Sequence, residues 1–207
     1  MATLIPPVLS NFVVIPRVFG SPPFDLTNPT SSNTSTFSTF TFTTDASGLE
    51  VISISGRTVT IIKSGNATIT ATQSPSFGFS SGSISTLFTV NVATPTLSNF
   101  VIPQKSFADI SFVLTNPTSN SPGAVSFRSL TTDIVTVTGQ VVTIKRVGRA
   151  RIEATKFPAS NYGSASIIAE FDVLTSILTV GVQNQIDLSW NRPTNNGATI
   201  KNYFFYI

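Results

Sequence analysis

The side chains that could do chemistry are few. The chain carries nine Asp or Glu and twelve Lys or Arg, with no His and no Cys. Without His, the commonest general base and metal ligand is missing. Without Cys, disulfides and thiolate metal sites are excluded. Serine is abundant, but a nucleophilic Ser needs a base beside it, and no motif supplies one. The carboxylates are scattered from Asp25 to Asp187, with no calcium-loop spacing. No Gly-rich phosphate loop leads from a strand into a helix. The chain therefore reads as non-catalytic, with no cofactor and no metal.

Two groups remain as candidate contact residues. Lys145, Arg146, Arg149, Arg151 and Lys156 form the one basic cluster. Arg149 and Arg151 alternate with Ala150 and Ile152, which places them on one outward strand face with Glu153. They read either as a solvated face with local Arg–Glu pairing or as a protein-docking surface. A net charge of +3 with this single cluster does not make a nucleic-acid-binding face. The second group is aromatic. Phe40 and Phe42 keep strand alternation and read as core, whereas Phe37 breaks the phase and reads as an exposed contact residue.

The elements that position these residues come twice. "LSNFVVIP" begins at Leu9 and "LSNFVIP" at Leu97, an offset of 88. "LTNPTS" follows at Leu26 and Leu114 at the same offset. "GRTVTIIKSGNATITAT" from Gly56 then meets "GQVVTIKRVGRARIEAT" from Gly139 at an offset of 83, with nine of 17 positions identical. Copy one thus carries five extra residues, within the stretch Ser31–Gly48. Its additional Val before Pro16 reads as a local bulge or loop shift. Repeats of this size are small domains with their own cores.

Within each copy the pattern has period two. Val59 and Ile61 alternate with Thr58 and Thr60, and Ala67, Ile69 and Ala71 with Thr68 and Thr70. Such alternation with β-branched residues predicts half-buried strands. Gly65 and Gly148, between two such runs, read as hairpin turn positions at positive φ. Phe12 and Phe100 read as the inward anchors of each opening strand. Several short strands with turn signals predict an all-β fold of tandem antiparallel β-sandwiches. The boundaries fall at 1–93, 94–174 and 175–207.

The run "TVTIIKSGNATITATQ" and its partner "VVTIKRVGRARIEATKFPASNYGSA" resemble the bacterial Ig-like group 2 repeat. The resemblance spans residues 7 to 173 and implies an Ig-like sandwich for each copy. After Val173 the vocabulary changes. Trp190, Pro193, Asn196, Gly197, Ile200 and Tyr203 resemble the opening of a fibronectin type III domain, so residues 175–207 read as the first third of such a domain. The group 2 family recurs in bacterial surface proteins, phage virion proteins and proteins of large DNA viruses. The N-terminus does not read as a signal peptide, and no apolar run is long enough for a membrane span.

Together these features favour a virion component: a capsid-associated, minor capsid or fibre protein. A bacterial cell-surface adhesin or spacer is the alternative, and a non-catalytic module of a secreted polysaccharide-degrading enzyme the third. The partners implied are other structural proteins, such as capsid or surface-layer subunits, or further copies of the chain. A host-surface glycan or receptor is a further candidate.

Overall fold

The protein was described as a computed structural model, covering residues 3–175. The fibronectin-like segment and Trp190 lie outside the described residues. The first copy contains nine strands: β1 (Leu9–Ser10), β2 (Arg17–Val18), β3 (Phe24–Asp25), β4 (Thr30–Ser31), β5 (Phe40–Thr44), β6 (Ile52–Ser55), β7 (Thr58–Ile61), β8 (Gly65–Gln73) and β9 (Gly82–Asn91). The second copy repeats them in order: β10 (Leu97–Ser98), β11 (Lys105–Ser106), β12 (Ser111–Val113), β13 (Thr118–Ser119), β14 (Val125–Ser129), β15 (Val135–Thr138), β16 (Val141–Ile144), β17 (Gly148–Lys156) and β18 (Ala165–Leu174).

Each copy stacks two sheets. In copy one a four-stranded sheet runs β2-β9-β8-β5 and a three-stranded sheet β3-β7-β6. Copy two matches with β11-β18-β17-β14 and β12-β16-β15. All pairings in these sheets are antiparallel except the short β2–β9 and β11–β18 contacts. These are tandem Ig-like β-sandwiches.

Alternation fills the core as the sequence predicts. Val59, Ala67, Ile69, Ala71 and Phe88 are buried in copy one; Val142, Ala150, Ile152, Ala154 and Phe171 occupy the same places in copy two. The two cores are separate clusters. Phe12 and Phe100 are both buried, and Phe40 packs against the core that includes Phe42.

The repeated words have a physical basis. Asn11 and Asn99 both adopt φ 57, in the left-handed region that Asn tolerates better than most residues. Their amide groups donate to Thr30 and Thr118 at 3.3 and 3.2 Å. "LSN" and "NPT" are thus two halves of one corner, in which Leu9–Ser10 pairs with Thr30–Ser31. The repeated tilt of Phe12 and Phe100 into the core follows from that corner.

Three sequence expectations need correction. Gly65 is not a hairpin turn: β7 belongs to one sheet and β8 to the other. The segment between them crosses the sandwich, with Ile62 and Lys63 both donating to the Val51 carbonyl at 2.8 and 3.2 Å. Gly65 opens β8 at φ 145, and an added Cβ would meet Val51 at 3.0 Å. Gly148 repeats this against Ile134 at 2.9 Å. The tight hairpin is instead β6–β7, turned at Gly56, φ 61. Alternation reports which side chains face inward but not which strand lies alongside, so it could not distinguish the two.

Second, there is no bulge before Pro16. Phe12, Val14 and Arg17 stand 88 residues before Phe100, Ile102 and Lys105, and Arg17 and Lys105 pair at matching points, Val90 and Val173. Ile15 simply occupies the place of Pro103. Third, the five extra residues are split. Strand pairing gives an offset of 85 between Phe42 and Phe127, since their partners are Ala71 and Ala154. Three extra residues therefore lie before β5 and two after it.

Separate cores predict separate responses. Ile152→Ala empties a fully buried site and should cost repeat 2 about 3 kcal/mol. Urea unfolding followed through individual amide signals should show earlier loss of Ala150 and Phe171 than in the parent. The transition of Ala67 and Phe88 should stay close to its original midpoint.

Candidate functional site

The basic cluster is assembled but largely neutralised. Arg149 and Arg151 lie on β17 opposite Asp172 and Glu170 of β18. Both guanidinium groups turn to Glu170, at 2.7 and 3.0 Å. Glu153 is taken by Arg128 of β14, directly across the ladder. Arg146 pairs with Asp133, and the Lys145 ammonium donates to the Thr132 carbonyl at 3.4 Å. Lys156 departs from the expectation: it is buried, at the inward-facing end of β17, and does not join the surface group. The period-two phase of Ala150, Ile152 and Ala154 carries position 156 inward. Sequence reasoning placed the Arg–Glu pairing correctly in kind, but the partner of Arg149 and Arg151 comes from the neighbouring strand.

These pairs are solvent-exposed, where ion pairs contribute little to stability. Hydrogen bonding from Arg149, then its charge, and a smaller contribution from Arg151 hold the Glu170 carboxyl below its ordinary range. A depressed folded-state value stabilises the fold above the unfolded value, and the effect is lost as pH falls through the lowered one. In Arg149→Thr/Arg151→Thr, carbonyl-detected NMR titration should show Glu170 returning toward an ordinary glutamate. The melting temperature at neutral pH should move by no more than about 2 °C.

No comparable cluster of titratable groups exists elsewhere among the described residues. No three carboxylates come together there. A groove of about 730 Å³ runs along Ser38–Phe42 toward Asn28 and the Gly56–Arg57 turn. Its charged lining side chain is Arg57, whose guanidinium already donates to the Leu26 carbonyl and the Asn28 side chain at 3.0 and 3.3 Å.

The more specific construction is the junction between the copies, which sequence reasoning missed. The turn Ala159–Tyr162 lies at the tip of the β17–β18 pair. It clasps the connecting segment through Ala93 N–H to the Asn161 carbonyl and Gly163 N–H to the Ala93 carbonyl, both 2.8 Å. It also reaches into copy one. The Asn161 side-chain carbonyl accepts from the Ser64 N–H at 2.8 Å and the Ser64 hydroxyl at 3.2 Å. The Tyr162 ring meets Phe19 edge-on, 5.7 Å between centroids. The "NY" pair was visible in the sequence as a family feature, but its role in bridging copies was not.

Copy one has the same turn at its own tip. Ile5 N–H donates to the Gly78 carbonyl and Ser80 N–H to the Ile5 carbonyl, each at 3.0 Å. Here Gly78 and Phe79 stand where Asn161 and Tyr162 stand in copy two. Beside it the expected contact residue Phe37 is indeed exposed, 76%, and it meets Phe77, 82% exposed, edge-on at 5.8 Å.

Fold and junction define a class: paired Ig-like β-sandwiches clasped end to end. No family model matches the chain, and no curated protein matches it in sequence. Solved structures share its β-sandwich build at low identity. Drosophila N-cadherin EC1-4 is 14% identical, with a TM-score of 0.40 over 84% of this chain and 50% of that one. Human protocadherin-24 EC1-2 is 9% identical, with a TM-score of 0.36 over 83% and 99%. A SusE-like surface located polysaccharide binding protein from Bacteroides thetaiotaomicron is 10% identical, with a TM-score of 0.32 over 80% and 34%. The chain spans about half the length of the N-cadherin fragment.

The junction predicts mechanical coupling. Asn161→Ala/Tyr162→Ser removes the side-chain half of the clasp while leaving both cores intact. Residual dipolar couplings should fit one alignment tensor for residues 9–174 of the parent and two distinct tensors in the variant.

Proposed function

We propose that this chain is a non-catalytic structural module that holds neighbouring proteins at a set spacing, as a capsid-associated, minor capsid or fibre component of a virus particle. The observation that carries the reading is the clasped junction. A linker of few residues, bonded on both sides by the Asn161–Gly163 turn, fixes the orientation of one sandwich to the next. A module built for spacing needs that rigidity, because a flexible linker leaves the distance and orientation between domains undefined.

The chemistry of the surface supports it further. Exposed faces of copy one carry Thr and Ser in place of charge: Thr70 meets Ser85 and Thr72 meets Ser83 at 2.8 and 3.0 Å. Such hydroxyl rows are cheaper to desolvate against a neighbouring subunit than free charges. The resemblance to group 2 repeats, which recur in virion proteins, is in keeping with this role. Fold alone does not assign a job, so the location of the native protein is the test. Antibodies against the chain should detect it in purified, nuclease-treated particles at constant stoichiometry. Recovery only from a bacterial envelope fraction would replace the virion with a cell-surface spacer.

A further inference from the structure

The groove beside β5 is bordered by a strand whose backbone is only half used. In copy one β5 ends the sheet β2-β9-β8-β5, so one side of it has no neighbouring strand. The Thr39 carbonyl accepts from the Ser74 N–H at 2.9 Å, and the Asp45 N–H donates to the Thr68 carbonyl at 3.2 Å. Bonded residues alternate along an antiparallel pair, and the register of Thr41 on Thr72 and Thr43 on Thr70 continues that phase. Phe40 and Phe42 therefore turn their N–H and C=O groups away from β8, where no backbone partner meets them among the described residues. On that side lies the groove of about 730 Å³, lined by Ser38–Phe42, Asn28, Gly56 and Arg57.

Natural sheets guard their edges with prolines, charges, bulges or very short strands. Copy one guards β2 and β3 in this way: each is two residues long, and they follow Pro16 and Pro23. β5 has none of these guards. At five residues it is the longest edge strand of copy one, it carries no charge, and it pairs with β8 without a bulge. The counterpart edge of copy two, β14, carries Arg128, paired to Glu153. An unguarded edge invites pairing, and its alternating donors and acceptors fit one partner chemistry, an extended polypeptide backbone.

We propose that β5 takes an extended peptide segment of a partner protein as a further strand of its sheet, with a carboxylate of that segment on Arg57. The free groups of Phe40 and Phe42 recur every second residue, the repeat that a facing strand presents. The hydroxyls of a glycan have no such repeat. The guanidinium of Arg57 has five N–H donors. It spends one from Nε on the Leu26 carbonyl and one from Nη2 on the Asn28 side chain. The others remain for an anion, and no carboxylate stands among the lining residues to compete for them. A charged donor favours a carboxylate over a neutral acceptor. This inference names how copy one holds a neighbouring protein, but it does not depend on the particle assignment, because purified protein tests it.

The probe is a phage-displayed library of linear nonapeptides, panned on the immobilised 207-residue protein, with a glycan array run beside it. Selected peptides should alternate β-branched or aromatic residues with polar ones, lack Pro and carry Asp or Glu. A synthetic copy of one such peptide should slow amide exchange at Phe40 and Phe42, while Thr41 and Thr43 are already protected in the free protein. N-methylation of the peptide residues that face β5 should weaken binding by at least about tenfold, and N-methylation of the alternate set should leave it unchanged. Arg57→Gln should weaken the same peptide several-fold. Failure to select peptides, retention of a glycan at the groove in their place, equal loss from either methylated set, unchanged exchange at Phe40 and Phe42, or full affinity in Arg57→Gln would overturn the proposal.

Discussion

The nine-residue ladder between Gly65–Gln73 and Gly82–Asn91, copied as Gly148–Lys156 with Ala165–Leu174, is the constraint on which the rest depends. One face of each ladder places Ala, Ile and Ala in a row against a Phe from the paired strand, and that row is the centre of the core. The small alanines let the opposing sheet come close, and the Ile and Phe fill what remains, as close packing requires. The other face lies outside the core and is free to vary. Copy one uses it for hydroxyl pairs and copy two for Arg–Glu pairs.

The same ladder delivers a turn to one end of each sandwich. Backbone bonds from the turn to the incoming chain are identical in the two copies, at Ile5 and at Ala93. What the end touches is set by side chains alone. Asn161 and Tyr162 reach Ser64 and Phe19 of the preceding sandwich. Among the described residues Gly78 and Phe77 contact only their own sandwich, and the extra loop adds Phe37 beside them. One backbone device therefore serves as an internal joint in one copy and as an outward aromatic face in the other.

Much of this was legible in the chain. Period-two burial of Val59, Ala67, Ile69 and Ala71, the exposure of Phe37 and the solvated Arg149–Arg151 face all follow from strand alternation, which is local. The position of the extra residues was visible to within one stretch, but not their division around β5. That division is set by the register of Phe42 on Ala71, a contact between segments far apart in sequence. Lys156 was misplaced for a related reason. Its charge suggested surface, while its phase along the strand placed it inside.

By itself the sequence determined two copies of a half-buried β pattern, the inward and outward faces of each strand, and the phrases "LSNF" and "LTNPT" written twice at one offset. These are properties of residue spacing, and spacing is all that a strand needs to choose its faces. Tertiary structure alone decided that Gly65 opens a crossover between sheets, that Glu170 is shared by Arg149 and Arg151, and that Asn161 reaches Ser64 across 97 residues. Each of these depends on which segments lie side by side. That pairing emerges from the summed burial of two sheets, and no single stretch of the chain encodes it.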